Sequence, residues 1–422
     1  MNNITIIPQM LSGSVKIPPS KSIAHRAIIA AALSKGECTI DNAAMSMDIE
    51  ATLGGIRALG SKYTYSKKDA RLNISAKKST GRNIEIDCGE SGSTLRFLIP
   101  IALLTGKKIK FTGHGRLMQR PMEPYFKMFA RHGISCLTEG DCMYLDGKLT
   151  GGAYEIEGNV SSQFITGLLF ALPLAEEDSE IIITTTAESK GYIDLTLDVL
   201  KKFGIKIENH NYMRYVIPGG QKYKARNFVI EGDYSQAAFF LVAGAIGGNV
   251  ECLGLDEDSL QGDRAIIDII KRTGAKIEKT KEGIRAVQTA NMHGITVDAR
   301  EVPDLVPIVS VLLALCRGES NIINAGRLRM KESDRLEATR SELGHLGADI
   351  TEGADSLKII GKQVLESSNV SSRSDHRIAM SLAIAAQRCE GGTITIMGAA
   401  DAVKKSYPDF FDAYGKLCGQ LI

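Results

Sequence analysis

The feature that most restricts this chain is a repeat. Six stretches open with small or polar residues and run into an apolar helical pattern: "SKSIAHRAIIAAALSKG", "SGSTLRFLIPIALLTGK", "VSSQFITGLLFALPLAE", "DYSQAAFFLVAGAIGG", "VPDLVPIVSVLLALCRG" and "RSDHRIAMSLAIAAQRCEG". Ser22, Ser93, Ser162, Ser235, Asp304 and Asp375 mark them, at successive steps of 71, 69, 73, 69 and 71 residues. So regular a period signals duplication, and it is too long for the common solenoids. A second marker runs in phase. An amphipathic helix ends at a glycine and leads into a β-type run at Gly60, Gly133, Gly204, Gly274, Gly347 and, cut short by the C-terminus in "YGKLCGQLI", Gly419. Each glycine suits the left-handed position that closes a helix. Every copy therefore reads helix, strand, helix, strand, strand.

Six such copies in 422 residues exceed one ordinary core. They predict an α/β chain of two domains, each of three copies with sheets around a bundle of helices. The divide falls near "VIEGDYS". Residues 16–231 make the first domain. Residues 1–15 read as a strand able to complete the truncated sixth copy, so they join 232–422 in a discontinuous second domain. Apolar residues at 44% and charged residues at 24% exclude a disordered chain. With 51 Lys+Arg against 49 Asp+Glu, no global field would recruit nucleic acid, and anion binding must come from local clustering. The eight cysteines show no C-x-x-C pair and read as reduced, packed thiols. Neither a signal-peptide pattern nor an apolar run of about 18 residues is present, so a cytoplasmic protein without membrane contact is expected.

Copies under packing pressure alone need no charge at their helix starts, so chemistry should lie where the starts differ. The stretch "PPSKSIAHRAIIAAAL" places Lys21 and Arg26 beside a helix tip, where free N–H groups and the positive end of the macrodipole disfavour cations. The second copy has Glu90, Ser93 and Arg96, then Arg116 and Arg120 in "GRLMQRP". The third has Ser161, Ser162 and Gln163, then Ser189, Lys190 and Tyr192. The fifth has Asp304, then "GRLRMKESDR" with Arg327, Arg329, Lys331, Glu332, Asp334 and Arg335. The sixth has Asp375, His376 and Arg377, then Lys404 and Lys405. The fourth, "EGDYSQAA", is the poorest in charge. Helix-start N–H groups, hydroxyls and cations together suit phosphates and carboxylates. Asp304 or Glu332 among them has no duty in binding anions, but proton transfer would give it one.

Plainer readings stand beside these. Ser22, Ser93, Asp304, Asp334 and Asp375 read first as N-caps, worth about 0.5–2 kcal/mol each. Arg116, Arg329 and Lys404 read as ordinary solvated or structural cations. His25 fits a helix surface as well as a site wall, and His376 fits the site. His114, His132, His210, His293 and His345 read as surface or packing histidines.

The stretches "PPSKSIAHRA", "ESGSTLRF", "GRLMQRP", "VSSQF", "SKGYID", "VPD", "MKESDR", "SDHR" and "KKSYPDFF" occur in the order and spacing of a known family. Along essentially its whole length the chain resembles the 5-enolpyruvylshikimate-3-phosphate synthases. The resemblance implies two domains of three β-α-β-α-β-β units, the inverse β-prism of the enolpyruvyl transferases, closing over a cleft that holds the active site. It implies transfer of the enolpyruvyl group of phosphoenolpyruvate to the 5-hydroxyl of 3-phosphoshikimate by addition and elimination, with no metal or organic cofactor. Transferred position by position, the 3-phosphoshikimate contacts fall on Lys21, Ser22, Arg26, Ser161, Ser162, Gln163, Ser189, Tyr192, Asp304, Arg327 and Lys331. The phosphoenolpyruvate contacts fall on Lys21, Gly92, Arg120, Gln163, Arg335, His376, Arg377 and Lys405. Asp304, Glu332 and Lys21 carry the chemistry. Two positions depart from the family: Arg327 and Glu90 each stand where Asn is usual.

A sister family that transfers the same group to UDP-N-acetylglucosamine fits less well. "SKSIAHR" replaces its lysine–asparagine start, and no cysteine lies in the loop after "GRLMQRP". A non-enzymatic scaffold would not need Asp304 and Glu332 among its cations, and RNA binding lacks stacking motifs. A monomer is expected, with the two small molecules as its partners.

Overall fold

The computed structural model describes residues 2–76 and 83–419. Met1 and the strand-like "QLI" that ends the sixth copy lie outside them. The chain divides into two compact units, Lys21–Ile230 and Met1–Ser20 with Glu231–Ile422. Each has its own apolar core.

The unit Lys21–Ile230 carries α1 (Lys21–Leu33), α2 (Met47–Ala58), α3 (Gly92–Leu103), α4 (Glu123–Arg131), α5 (Ser162–Ala171) and α6 (Lys190–Lys202). Helices α3 and α5 are buried around most of their circumference, which is why their sequences are apolar on every face. Around the helices lie three four-stranded sheets, each a parallel pair followed by an antiparallel hairpin. In the second, Asn83–Asp87 runs parallel to Lys108–Thr112, which continues antiparallel to Cys142–Asp146 and then Ser135–Glu139. The third repeats that order from Gly152–Ile156. In the first, the parallel partner of Glu37–Asp41 is Asn227–Val229, so the last strand of the unit completes the sheet of its first copy.

The other unit carries α7 (Tyr234–Ala245), α8 (Ile266–Arg272), α9 (Val306–Ala314), α10 (Arg335–His345), α11 (His376–Ala385), α12 (Ala399–Ala402) and α13 (Phe410–Cys418). Two of its sheets follow the same four-stranded plan, beside a three-stranded sheet and a two-stranded parallel pair, and the N-terminal residues supply two strands rather than one. Ile4–Ile6 pairs antiparallel with Ile394–Met397 of the sixth copy, while Ser12–Lys16 pairs parallel with Asn249–Leu253 of the fourth. The strand signal that suggested a crossing near residue 16 runs on. The Ile17 N–H donates to the Leu253 carbonyl and the Ser20 N–H to that of Glu231, and only then does the chain leave this unit.

The six helix-ending glycines all have positive φ, from 68° at Gly419 to 110° at Gly60, where a Cβ would strain the backbone. A different constraint acts at Gly167 in α5. A methyl there would lie 2.3 Å from both the Arg96 carbonyl of α3 and the Tyr125 hydroxyl, which itself sits 2.9 Å from the carbonyls of Arg96 and Phe164. Gly167→Ala should therefore destabilise the protein by about 1–3 kcal/mol through overpacking. Gly54→Ala in α2, where a methyl meets nothing within 4 Å, should instead stabilise by about 0.5–1 kcal/mol. Urea unfolding of the two variants should shift in opposite directions.

Candidate active site

Three of the marked helix starts are capped one or two residues earlier than the repeat markers suggest. Ser91 caps α3 by accepting from the Thr94 N–H at 3.2 Å, Ser161 caps α5, and Asp233 caps α7 by accepting from the N–H groups of Ser235 and Gln236. Asp334 and Asp375 cap α10 and α11 as expected. Ser22, Ser93 and Asp304 do not cap. The extended backbone that a cap requires belongs to Ser91 before α3, and Asp304 sits in a 3-10 turn, Pro303–Leu305, ahead of α9. Ser93 and Ser235 thus stand inside the first helical turn, with side chains released from capping.

In the unit Lys21–Ile230, Lys21 at the tip of α1 is answered by Asp48 in the first turn of α2, 2.8 Å away. One turn on, His25 is neither a helix-surface residue nor an open site wall. It is 1% exposed, and its Nδ1 lies 2.7 Å from Thr52 Oγ1. Thr52 continues to Thr94 at 2.6 Å and Thr94 to Ser91 at 2.8 Å, so hydroxyls link the starts of α1, α2 and α3. Burial pushes the His25 imidazole down to about 3 despite the pull of Asp48, leaving it neutral. Arg26, 2% exposed, spends its donors on Thr196 Oγ1 and on the carbonyls of Ser22 and Tyr192, tying α1 to α6. Burial lowers it to about 10, still a cation at neutral pH.

The α3 tip gathers a second group. A methyl on Gly92 would lie 3.0 Å from Arg120 Nη1, 3.2 Å from Arg96 Nη1 and 3.5 Å from Gln163 Oε1, so the backbone there faces two guanidinium groups. Arg96 donates to Gln163 Oε1 at 2.8 Å, and Gln163 Nε2 donates to Ser93 Oγ at 2.9 Å. Ser189, before α6, holds a left-handed backbone (φ 56°) unusual for serine. Tyr192 lies half-buried one turn on, its ring 6.0 Å from Arg26. Glu90 stands against Gly115.

The other unit concentrates charge. Arg335, 1% exposed, donates through Nε to Asp375, through Nη1 to Asp304 and through Nη2 to Glu332, each at 2.8 Å. Asp304 also takes Arg377 Nη2 at 3.1 Å and lies 3.4 Å from Lys331, while Lys405 lies 3.8 Å from Glu332. Burial pushes the Asp304 carboxyl up, but Arg377, Lys331 and Arg335 outweigh it and hold the group well below the usual carboxylate range. His376, 2% exposed, has Nδ1 3.8 Å from Asp375.

The structure thus brings Asp304, Lys331, Glu332, Arg335, Arg377, His376 and Lys405 together in one unit. In the other it brings Gly92, Arg120 and Gln163 together, and Lys21, Ser22, Arg26 and Tyr192 along α1 and α6. Arg327 donates to the Arg300 carbonyl at 2.6 Å, and its charge acts on Lys331. Arg329 clamps Asp334, Glu352 and two carbonyls, Lys404 pairs with Asp401, and Arg116 is exposed, all three in keeping with their plainer readings. Sequence reasoning gave no role to Asp48, Thr52 and Thr94, nor to Ser235 and Asp263, whose contacts join distant copies. The one legible signal was Asp48, an acid in a helix's first turn.

A family model described as EPSP synthase (3-phosphoshikimate 1-carboxyvinyltransferase) matches residues 6–414. A 3-phosphoshikimate 1-carboxyvinyltransferase of Clostridium novyi is 51% identical, covering 99% of this chain and 98% of that protein. One of Clostridium perfringens is 48% identical, covering 100% and 99%. The chain belongs to the EPSP synthase family. It is an enzyme that transfers the enolpyruvyl group of phosphoenolpyruvate to 3-phosphoshikimate, in aromatic amino acid biosynthesis by the shikimate pathway. An EPSP synthase structure from Acinetobacter baumannii superposes with a TM-score of 0.81 at 25% identity, covering 98% of both chains. The enolpyruvyl transferase NikO of Streptomyces tendae shares the fold at 17% identity, with a TM-score of 0.78 over 98% of this chain and 96% of that one. The EPSP synthase fold is thus the two-domain inverse prism. Among the described residues no helix is long and apolar enough to cross a membrane.

Two expectations follow for this member of the family. Gly92→Ala should lower kcat/KM by about tenfold with little change in thermal stability, because the guanidinium groups facing it must give way by tenths of an ångström. Steady-state kinetics alongside a melting curve checks this. His25, neutral when folded down to about pH 3 but protonated below about 6.5 when unfolded, makes stability present above pH 6.5 that is lost as pH falls. Between pH 6.5 and 5 the wild type should lose about 2 kcal/mol more than His25→Gln in denaturant titrations.

Proposed function

We propose that 3-phosphoshikimate is bound by Lys21, Ser22, Arg26, Ser161, Ser162, Gln163, Ser189, Tyr192, Asp304, Arg327 and Lys331. Phosphoenolpyruvate is bound by Lys21, Gly92, Arg120, Gln163, Arg335, His376, Arg377 and Lys405. Glu332 donates a proton to the methylene carbon of phosphoenolpyruvate, making C2 cationic. Asp304 accepts the proton of the 5-hydroxyl as that oxygen attacks C2. The tetrahedral adduct then expels phosphate and returns a methyl proton to the Glu332 carboxylate, leaving the enol ether. Lys21, Arg120 and Lys405 offset the charge that gathers on the departing phosphate. The set draws on both compact units. The enzyme acts as a cytoplasmic monomer, needing no metal or organic cofactor.

The observation that carries this reading is the carboxylate of Asp304, shared among Arg335, Arg377 and Lys331 with Glu332 on the same arginine. Held so far below the usual range, Asp304 is a weak base in the unliganded enzyme. Substrate anions that draw Arg377 and Lys331 toward themselves loosen that hold and raise its basicity where a proton must be taken. Asp304→Asn, which keeps the shape and removes the base, should lower kcat by roughly a hundredfold or more in a phosphate-release assay. Near-normal turnover would refute the assignment.

A further inference from the structure

The fourth copy, poorest in charge, joins the site through a hydroxyl. Ser235 stands in the first turn of α7, freed from capping because Asp233 does that work. Its hydroxyl oxygen accepts from Arg377 Nη2 at 2.8 Å, and its proton goes to Asp263 Oδ2. A serine has one proton to donate, so an acceptor-only carboxylate on one side and a donor-only guanidinium on the other fix the hydroxyl's direction. Asp263 lies in a short 3-10 turn, Gly262–Ala265, ahead of α8 and is 4% exposed. Arg377, 5% exposed, also donates through Nη1 to the Asp304 carbonyl at 3.0 Å. Its plane is therefore set from two sides, by Asp304 and by Asp263 through Ser235. Asp304, Arg377 and Asp233 are among the charged groups acting on Asp263. Burial and Asp304 raise it to about 6, against Arg377, so it is largely anionic at neutral pH.

We propose that Asp263, acting through Ser235, is a positioning residue that aims the Arg377 guanidinium at the anionic donor substrate. The proposal rests on the reading of Arg377 as a phosphoenolpyruvate contact. If substrate takes Arg377 away from the Asp304 carboxylate, the Ser235 link holds Nη2 while the Asp304 carbonyl holds Nη1, so the guanidinium keeps its direction. Asp263 does not touch substrate and moves no proton in the reaction.

The test measures kcat and both KM values for Ser235→Ala, Asp263→Ala, the double variant and Arg377→Ala, with melting curves for each. Loss of a hydrogen bond that orients a charged group should raise the KM for phosphoenolpyruvate by about tenfold in each single variant. The KM for 3-phosphoshikimate should stay within about twofold, again by that scale. The double variant should be no worse than either single one, because both break the same chain. Effects that multiply, or equal rises in both KM values, would overturn the proposal. A KM for phosphoenolpyruvate unmoved by Arg377→Ala would instead remove the reading beneath it. Should Asp263→Ala fail to fold, Ser235→Ala, which deletes one oxygen, decides the matter: an unchanged KM for the donor refutes the link.

Discussion

Arg335 is a cation almost wholly withdrawn from water, and the unit around it is arranged to make that tolerable. A buried guanidinium without partners would cost several kcal/mol in lost hydration. Here three carboxylates answer it, one from the turn before α9, one beside the start of α10 and one capping α11. The fifth and sixth copies cannot drift apart without stranding that charge. Burial alone would lower the Arg335 pKa, but Asp375, Glu332 and Asp304 raise it well above its ordinary value, so its charge is permanent.

That arrangement also shapes the chemistry. Cations meant for substrate anions would repel one another if left bare in a buried place. Carboxylates of the protein answer them: Asp304 pairs with Arg377 and Lys331, Glu332 with Lys405, and Asp48 with Lys21. On the proposed reading, substrate binding is an exchange of counter-ions, and the carboxylates it sets free, Asp304 above all, gain proton affinity. The unit Lys21–Ile230 uses less charge and more hydroxyl. His25, neutral through burial, and the Thr52–Thr94–Ser91 chain connect three helix starts without adding a net charge near Lys21.

Duplication explains both the sameness and the difference of the copies. Each repeats one βαβαββ unit, and two of the sheets take their outer parallel strand from elsewhere in the chain. In the first copy that strand is Asn227–Val229 and in the fourth Ser12–Lys16, the two places where a unit's chain returns to its own beginning. Asp375 caps α11 and binds Arg335 with the same carboxylate, so packing and chemistry need not be served by separate residues.

The sequence by itself determined the six-fold period, the order of elements within each copy and the closing glycines, because these depend on local patterning and on backbone angles that glycine adopts freely. It also showed that cations and acids crowd certain helix tips, and matched those tips to a family whose substrates are anionic. Only the tertiary structure decided which residue caps each helix, that His25 is buried and neutral, that Arg26 binds helix to helix, and that Asp263 reaches Arg377 through Ser235. Capping turns on a single extended residue that several neighbouring serines could supply. Burial and hydrogen-bond partners depend on contacts such as Arg26 with Thr196 or Ser235 with Arg377, between residues far apart in the chain, which no local pattern encodes.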